Sequence, residues 1–227
     1  MLTPSSSIVA TALFAVFVTG AAAGQTPGSA PAPEGPVPAI VALGDSITAG
    51  FGLKPDESYP ALLQQKLTMA GYRYRVVNAG VSGDTTGGGL RRLDQALVPE
   101  TRMLILELGV NDGLRGLPIQ EVQGNLGKII ETARARHIDV LLCTMEAPPS
   151  YADGLEYTVE FHKIFVKLQE RYQVPRVPFV LIDVFGDQSL TLPDRLHPNA
   201  AGARVVAEAL WKFLEPMVMK QATGNRQ

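Results

Sequence analysis

Cysteine is nearly absent from this chain. There is one, Cys143, in 227 residues, so an internal disulfide, a thiolate zinc cluster and a CxxC redox pair are all excluded. Histidine is scarce too. The three residues, His137, His162 and His197, are too scattered to announce a histidine-rich metal site. A basic excess is missing: 20 Lys and Arg face 22 Asp and Glu, a formal charge of −2, which speaks against a dedicated nucleic-acid binder. An apolar run long enough to cross a bilayer is also missing. Ile8 to Val18 holds eleven residues where a span takes about 20. What is present is a core. Hydrophobic residues make up 46% and charged residues 19%, which excludes global disorder and fits one domain with a tail.

The apolar run at 8–18 ends in Thr19-Gly20-Ala21-Ala22-Ala23-Gly24, whose small residues fit an A-x-A cleavage site. Residues 1–23 therefore read as a secretory signal peptide, although the first seven residues contain no Lys or Arg. The rival reading is an uncleaved anchor or a misplaced start. Gln25 to Pro38 carries five prolines in fourteen residues, which makes 24–38 an extended linker. The folded domain is expected over 39–218, with a disordered tail at 219–227. Cys143 ends the apolar run Val140-Leu141-Leu142 and reads as a small buried hydrophobe.

From Ala39 onward, short apolar runs alternate with helical patterns. Strands are expected at Ala39–Leu43, Tyr74–Asn78, Met103–Leu108, Val140–Thr144 and Phe179–Ile182. Helices are expected at Glu57–Ala70, Gly89–Val98, from Pro118 onward, Leu155–Tyr172 and Ala200–Leu214. In the third of these, Ile119, Val122, Leu126, Ile129 and Ala133 fall on one face. Apolar strands separated by helices predict an α/β fold, a three-layer α/β/α sandwich around a five-stranded parallel, flavodoxin-like sheet. Such sheets carry their sites outside the carboxyl ends of the strands.

Those strand ends hold Gly44-Asp45-Ser46, then Asn78 to Asp84, then Gly109-Val110-Asn111-Asp112, and finally Asp194-Arg195-Leu196-His197-Pro198. A serine hydroxyl needs a base to act as nucleophile. His197 is the one histidine placed after a strand. A carboxylate must hold that base in its tautomer, and Asp194 stands three residues before it. The oxyanion of acyl transfer needs donors, and the Ser46 and Gly83 N–H groups and the Asn111 amide suit that task.

GDSITAG (44–50), GVSGDTT (80–86), GVND (109–112) and DRLHP (194–198) resemble, in order and spacing, the four blocks of the SGNH (GDSL) hydrolases. NAGVSGDTTGGGLRRL (78–93), ELGVNDGLRG (107–116) and APPSY (147–151) are similar to the thioesterase I, lysophospholipase and arylesterase subgroup. The likeness covers nearly all of 39–218. It implies Ser46 as nucleophile, Asp194 and His197 as acid and base, and Ser46, Gly83 and Asn111 as the oxyanion hole. It implies no metal and no organic cofactor. Val110 and Arg195 stand where the subgroup often has glycine. Neither is a reacting group, and both bear on loop shape and specificity.

Each assignment has a bland rival. Ser46 alone would pass for a helix N-cap. Asp45 is a rival triad acid, but a neighbour of the nucleophile points away from it, so a loop-organising role is expected. Asp84 and Asp112 read as turn or cap residues. His162 reads as a helix-surface or partly packed histidine. Gly50-Phe51-Gly52 lacks the third glycine of a dinucleotide fingerprint. Pro148, Pro149 and Tyr151 read either as a rigid loop or as the wall of an acyl groove.

The expected function is a serine esterase acting on a small-molecule acyl ester, thioester or lipid. It would lie in the periplasm or outside the cell, with no nucleic-acid partner and no stable membrane span after signal cleavage. The alternatives are a carbohydrate O-acetyl esterase and a catalytically silent envelope protein that binds lipids.

Overall fold

Strand β1, Ala39–Gly44, is buried at all six residues. A strand that hides both pleat faces must be covered on both sides, and it is the continuous apolar run, rather than an alternating one, that permits this. The computed structural model describes residues 35–147 and 154–224. The chain divides into two units, Met1–Gly35 and Pro36–Gln227, and every element below belongs to the second. The signal and linker assignments lie outside the described residues, apart from 35–38.

After β1 come a single turn α1, Ser46–Ala49; a 3₁₀ turn, Pro55–Glu57; α2, Tyr59–Met69; and β2, Arg75–Gly80. Two short helices follow, α3, Thr86–Arg91, and α4, Leu93–Ala96, and then β3, Thr101–Glu107. Next are α5, Val110–Leu114; α6, Ile119–Ala135; and β4, Asp139–Cys143. The chain ends in α7, Leu155–Tyr172; β5, Arg176–Val177; and α8, Ala200–Gly224. All strand pairs are parallel, in the order β2-β1-β3-β4-β5. That is the flavodoxin-like order expected from the sequence, with β1 and β3 flanking the point where the order reverses. Helix α2 packs with α8, and α6 with α3 and α7. Of the stripe on α6, Val122, Leu126, Ile129 and Ala133 are fully buried. Each large side chain there contributes about 1.5–3 kcal/mol by leaving water, so Leu126→Ala would cost about 2–5 kcal/mol.

Four expectations need correction. Phe179–Ile182 is a turn closed by the Ile182 N–H on the Phe179 carbonyl at 3.0 Å, not a strand. The fifth strand is Arg176–Val177, which lies between Pro175 and Pro178; Pro178 has no N–H with which to continue a ladder. The helix expected over 89–98 breaks at Arg92. The last helix does not stop before Pro216 but runs through it to Gly224. Leu214 and Val218 are buried on either side of the proline, and Gln221 donates to Asp139 Oδ2 at 2.7 Å, so tertiary contacts outweigh the lost backbone bond. The tail expected from 219 is therefore helical as far as 224, and 225–227 lie outside the described residues. Cys143 is fully buried and burial pushes its thiol up, in keeping with an inert core residue.

Candidate active site

The carboxyl ends of β1, β2 and β3 lie side by side, with Gly44 in register with both Gly80 and Glu107. The chain leaves β1 through Asp45, whose buried carboxylate accepts the Ile47 N–H at 3.0 Å and so caps the turn that begins at Ser46. This turn lies hard against β2. A Cβ on Gly80 would stand 2.2 Å from the Ala49 nitrogen, so only glycine lets the two backbones approach this closely.

The fourth loop closes on itself. Thr191 and Pro198 form an antiparallel bridge, and the Leu192 N–H donates to the His197 carbonyl at 2.8 Å. Asp194 Oδ1 accepts the Leu196 and His197 N–H groups at 2.9 and 3.0 Å, the local turn that aspartate favours. Its other oxygen, Oδ2, is 2.7 Å from His197 Nδ1. His197 Nε2 is 2.8 Å from Ser46 Oγ. Slight burial would raise the Asp194 carboxyl, but the Leu196 N–H, the His197 ring and the His197 N–H outweigh it and hold it at about 2. Asp194 is thus ionised beside the imidazole throughout the neutral range. The Phe51 ring lies 4.6 Å from the His197 ring, centroid to centroid, and walls one side.

The residues that carry the three candidate donors, Ser46, Gly83 and Asn111, line the same cleft. Gly83 sits at φ +78°, a left-handed conformation that a side chain would strain. Among the described residues, no acceptor takes the Ser46 or Gly83 N–H. Asn111 Nδ2 donates to the Asp84 carbonyl at 2.9 Å and to Asp45 Oδ2 at 3.3 Å. Asp112 ties the third loop to the second by accepting the Thr86 N–H at 2.9 Å and the Thr86 hydroxyl at 2.6 Å. Asp45, Asp84 and Asp112 thus organise the loops; that role was expected of Asp45, whereas Asp84 and Asp112, read as turn or cap residues, bond across segments to Arg92 and Thr86. Ser46, Gly83, Asn111 and His197 line one open cleft of about 310 Å³. A second, largely apolar trough of about 300 Å³, lined by Glu146, Ala147, Thr158, Phe179, Leu181 and Phe185, shares Val110 and Leu196 with it.

Some residues behave differently from the sequence reading, and some were missed by it. Pro148, Pro149 and Tyr151 lie outside the described residues. Arg195 occupies the left-handed region at φ +58°, so the loop keeps a glycine-like shape although glycine is replaced. His162 is half-exposed on α7, with Nδ1 2.6 Å from Glu146 Oε1. Sequence reasoning missed Glu107. It is fully buried at the end of β3 and accepts the Thr48 hydroxyl at 2.6 Å; Thr48 in turn meets the Tyr59 hydroxyl at 2.8 Å. Its signal was a lone carboxylate in the run Met-Leu-Ile-Leu-Glu-Leu. Burial, with the nearby Asp45 charge, pushes Glu107 well above the usual carboxylate range. Burial likewise raises Asp45 to about 7, helped by Asp84 and Asp112 against the bonds from Ile47 and Asn111. Among the described residues, no three His, Cys, Asp or Glu side chains could hold one metal ion. No described helix is long and apolar enough to cross a membrane.

A serine, a histidine and an aspartate joined end to end, in a cleft that Gly83 and Asn111 also line, at the carboxyl edge of a parallel sheet, make the arrangement of a serine hydrolase. Comparison with known proteins is narrower: the chain belongs to the GDSL-like lipase/acylhydrolase family, whose pattern matches residues 42–205. It is 39% identical over 180 residues to the esterase TesA of Pseudomonas aeruginosa, covering 79% of this chain and 89% of that one. It is also 39% identical over 180 residues to the arylesterase of Vibrio mimicus, covering 77% and 89%. The solved psychrotrophic esterase EstA from a Pseudoalteromonas species, inhibited by monoethylphosphonate, superposes with a TM-score of 0.75 at 32% identity, over 79% of this chain and 98% of that one. The protein is a carboxylic ester hydrolase of the serine type.

Proposed function

We propose that Ser46 is the nucleophile, His197 the general base and acid, and Asp194 the group that orients it. The observation that carries this is the unbroken path from Ser46 Oγ to His197 Nε2 at 2.8 Å and from His197 Nδ1 to Asp194 Oδ2 at 2.7 Å. Ser46 Oγ attacks the acyl carbonyl while its proton passes to Nε2. The carbonyl oxygen becomes an oxyanion, met by the N–H groups of Ser46 and Gly83 and by the Asn111 amide, whose long 3.3 Å bond to Asp45 is the one it can give up. Collapse expels the alcohol or thiol with the proton from His197 and leaves an acyl-enzyme. Water, deprotonated by His197, then releases the acid and restores Ser46.

The substrates proposed are aryl esters, acyl esters and thioesters, and lysophospholipids. The apolar trough beyond Val110 and Leu196 supports acyl chains longer than acetyl. Pro148, Pro149 and Tyr151 are assigned to the same groove on the sequence alone. Residues 1–23 are read as a signal peptide and 24–38 as a linker. That reading supports a location in the periplasm or outside the cell, where lipid or envelope esters are the substrates at hand.

The test is hydrolysis of p-nitrophenyl esters from acetate to palmitate by the wild type and by Ser46→Ala, with fluorophosphonate labelling of both. Turnover across several chain lengths, lost together with labelling in Ser46→Ala, is the expected result. Activity confined to acetate would favour an O-acetyl esterase. Equal rates in both proteins would remove Ser46 from the mechanism.

A further inference from the structure

The break between α3 and α4 falls on one residue, and its side chain explains why the helix stops there. Arg92 leaves helical geometry at φ −100°, ψ 6°. Its side chain turns inward, 21% exposed, and its guanidinium uses a different nitrogen on each of three chain segments. Nε donates to Asp84 Oδ2 at 2.7 Å, Nη1 to the Ala79 carbonyl at 2.7 Å, and Nη2 to the Gly44 carbonyl at 3.0 Å. Gly44 is the last residue of β1, two before Ser46. Ala79 is the penultimate residue of β2, and Asp84 follows Gly83. One planar cation therefore joins the segment that presents the Ser46 N–H to the segment that presents the Gly83 N–H. The same Asp84 also accepts Asn111 Nδ2 on its carbonyl at 2.9 Å, so the third donor is anchored to the same node.

We propose that Arg92 is a positioning residue that holds the oxyanion donors of two separate loops in register with each other. The strands leave the sheet joined by a backbone bond, the Val81 N–H on the Gly44 carbonyl at 3.0 Å, but one bond does not fix how the turn that carries Gly83 is oriented against the turn that carries Ser46. A rigid guanidinium does so because its three bonds share one plane. A lysine ammonium keeps the charge beside Asp84 but is a point donor on a flexible stem, so it cannot hold the three acceptors in one geometry. The proposal rests on the serine-esterase reading and adds the residue through which the oxyanion hole keeps its shape.

The experiment measures kcat and KM for p-nitrophenyl butyrate, inhibition by an aryl boronic acid that mimics the oxyanion, and thermal stability. The proteins are the wild type, Arg92→Lys, Arg92→Ala and, as the control on the reading itself, Ser46→Ala. Losing the alignment of oxyanion donors costs on the order of 100-fold in kcat. The expected result is a fall of roughly that size in Arg92→Ala and about tenfold in Arg92→Lys, with KM within about threefold and boronic acid affinity weakened in step with kcat. Guanidinium chloride at millimolar concentration should restore part of kcat in Arg92→Ala and none in Ser46→Ala. Full kcat and boronic acid affinity in a folded Arg92→Lys or Arg92→Ala would overturn the proposal. So would a rise in KM with kcat unchanged. If Arg92→Ala does not fold, Arg92→Lys decides between these outcomes. An active Ser46→Ala would instead overturn the esterase mechanism.

Discussion

Replacing Gly80 with alanine adds one carbon, and the structure says where it goes. The new Cβ would stand 2.2 Å from the Ala49 nitrogen and 2.7 Å from both the Ala49 Cα and the Thr48 carbonyl carbon. All three are backbone atoms, so no side chain can swing away. Ordinary contact begins near 3.4 Å, which means α1 and the end of β2 must part by about 1 Å. Ser46 rides on α1 while its partner His197 is fixed by a different loop, so the displacement opens the 2.8 Å bond between them. A misplacement of about 1 Å costs on the order of 100-fold in rate, and overpacking of this kind costs roughly 1–3 kcal/mol of stability. For a domain of this size that is a fall in Tm of about 2–12 °C. Stopped-assay kinetics on p-nitrophenyl butyrate, with a thermal melt of the same preparation, measure both. Full kcat with an unchanged melt would show that the loops absorb the methyl freely and that the close approach does not set the position of Ser46.

Asp194→Asn should lower kcat by roughly three to four orders of magnitude at little change in KM, because the imidazole loses the anion that fixes its tautomer; a loss under tenfold refutes the role. Stability should fall as pH rises. Asp45 and Glu107 are both pushed up by burial and hold protons that the unfolded chain releases; the Asp45 contribution is full below its ordinary 3.8 and lost as pH rises through about 7, and Glu107, raised well above its ordinary value, acts in the same sense. Asp194, held at about 2, acts in the opposite sense, with its contribution lost as pH falls from 3.8 through 2. Melts from pH 4 to 8 should therefore decline, and Glu107→Gln should flatten the decline; a Tm that climbs over that range contradicts the burial argument. Arg195→Gly should keep kcat/KM within about twofold, with a Tm within about 3 °C of the wild type. Relief of the left-handed strain, about 1–2 kcal/mol, is there largely offset by the greater freedom of glycine in the unfolded chain; a large loss of activity would give the Arg195 side chain a role of its own.

The parts of the molecule legible in the sequence are those whose cause is local. Helix α7 runs from Leu155 to Tyr172 as the pattern predicts, and Asp194 reaches His197 through a turn only three residues long. The parts that were not legible depend on partners distant in sequence. Nothing near Pro216 says that Gln221 will be held by Asp139, 82 residues away. Nothing in Arg91-Arg92 says which arginine turns inward to the end of β1. Apolar composition at Phe179–Ile182 promised a strand, yet hydrogen bonding at Pro178 decided otherwise. The candidate reacting groups were nameable because Ser46, Gly83 and Asn111 follow strand ends and Asp194 and His197 share one short turn, whereas Glu107, buried at the end of β3, shows its surroundings only once the sheet is assembled.

Ser46 and His197 are 151 residues apart in the chain and 2.8 Å apart in space. Between them lie four of the five strands, so the contact proposed to make the serine reactive needs those strands in place. Until β2, β3 and β4 have docked beside β1, the chain carries an ordinary alcohol and an ordinary imidazole. On the proposed mechanism, catalytic power is therefore a report of completed folding: a chain in which the sheet has not closed is expected to hydrolyse no ester.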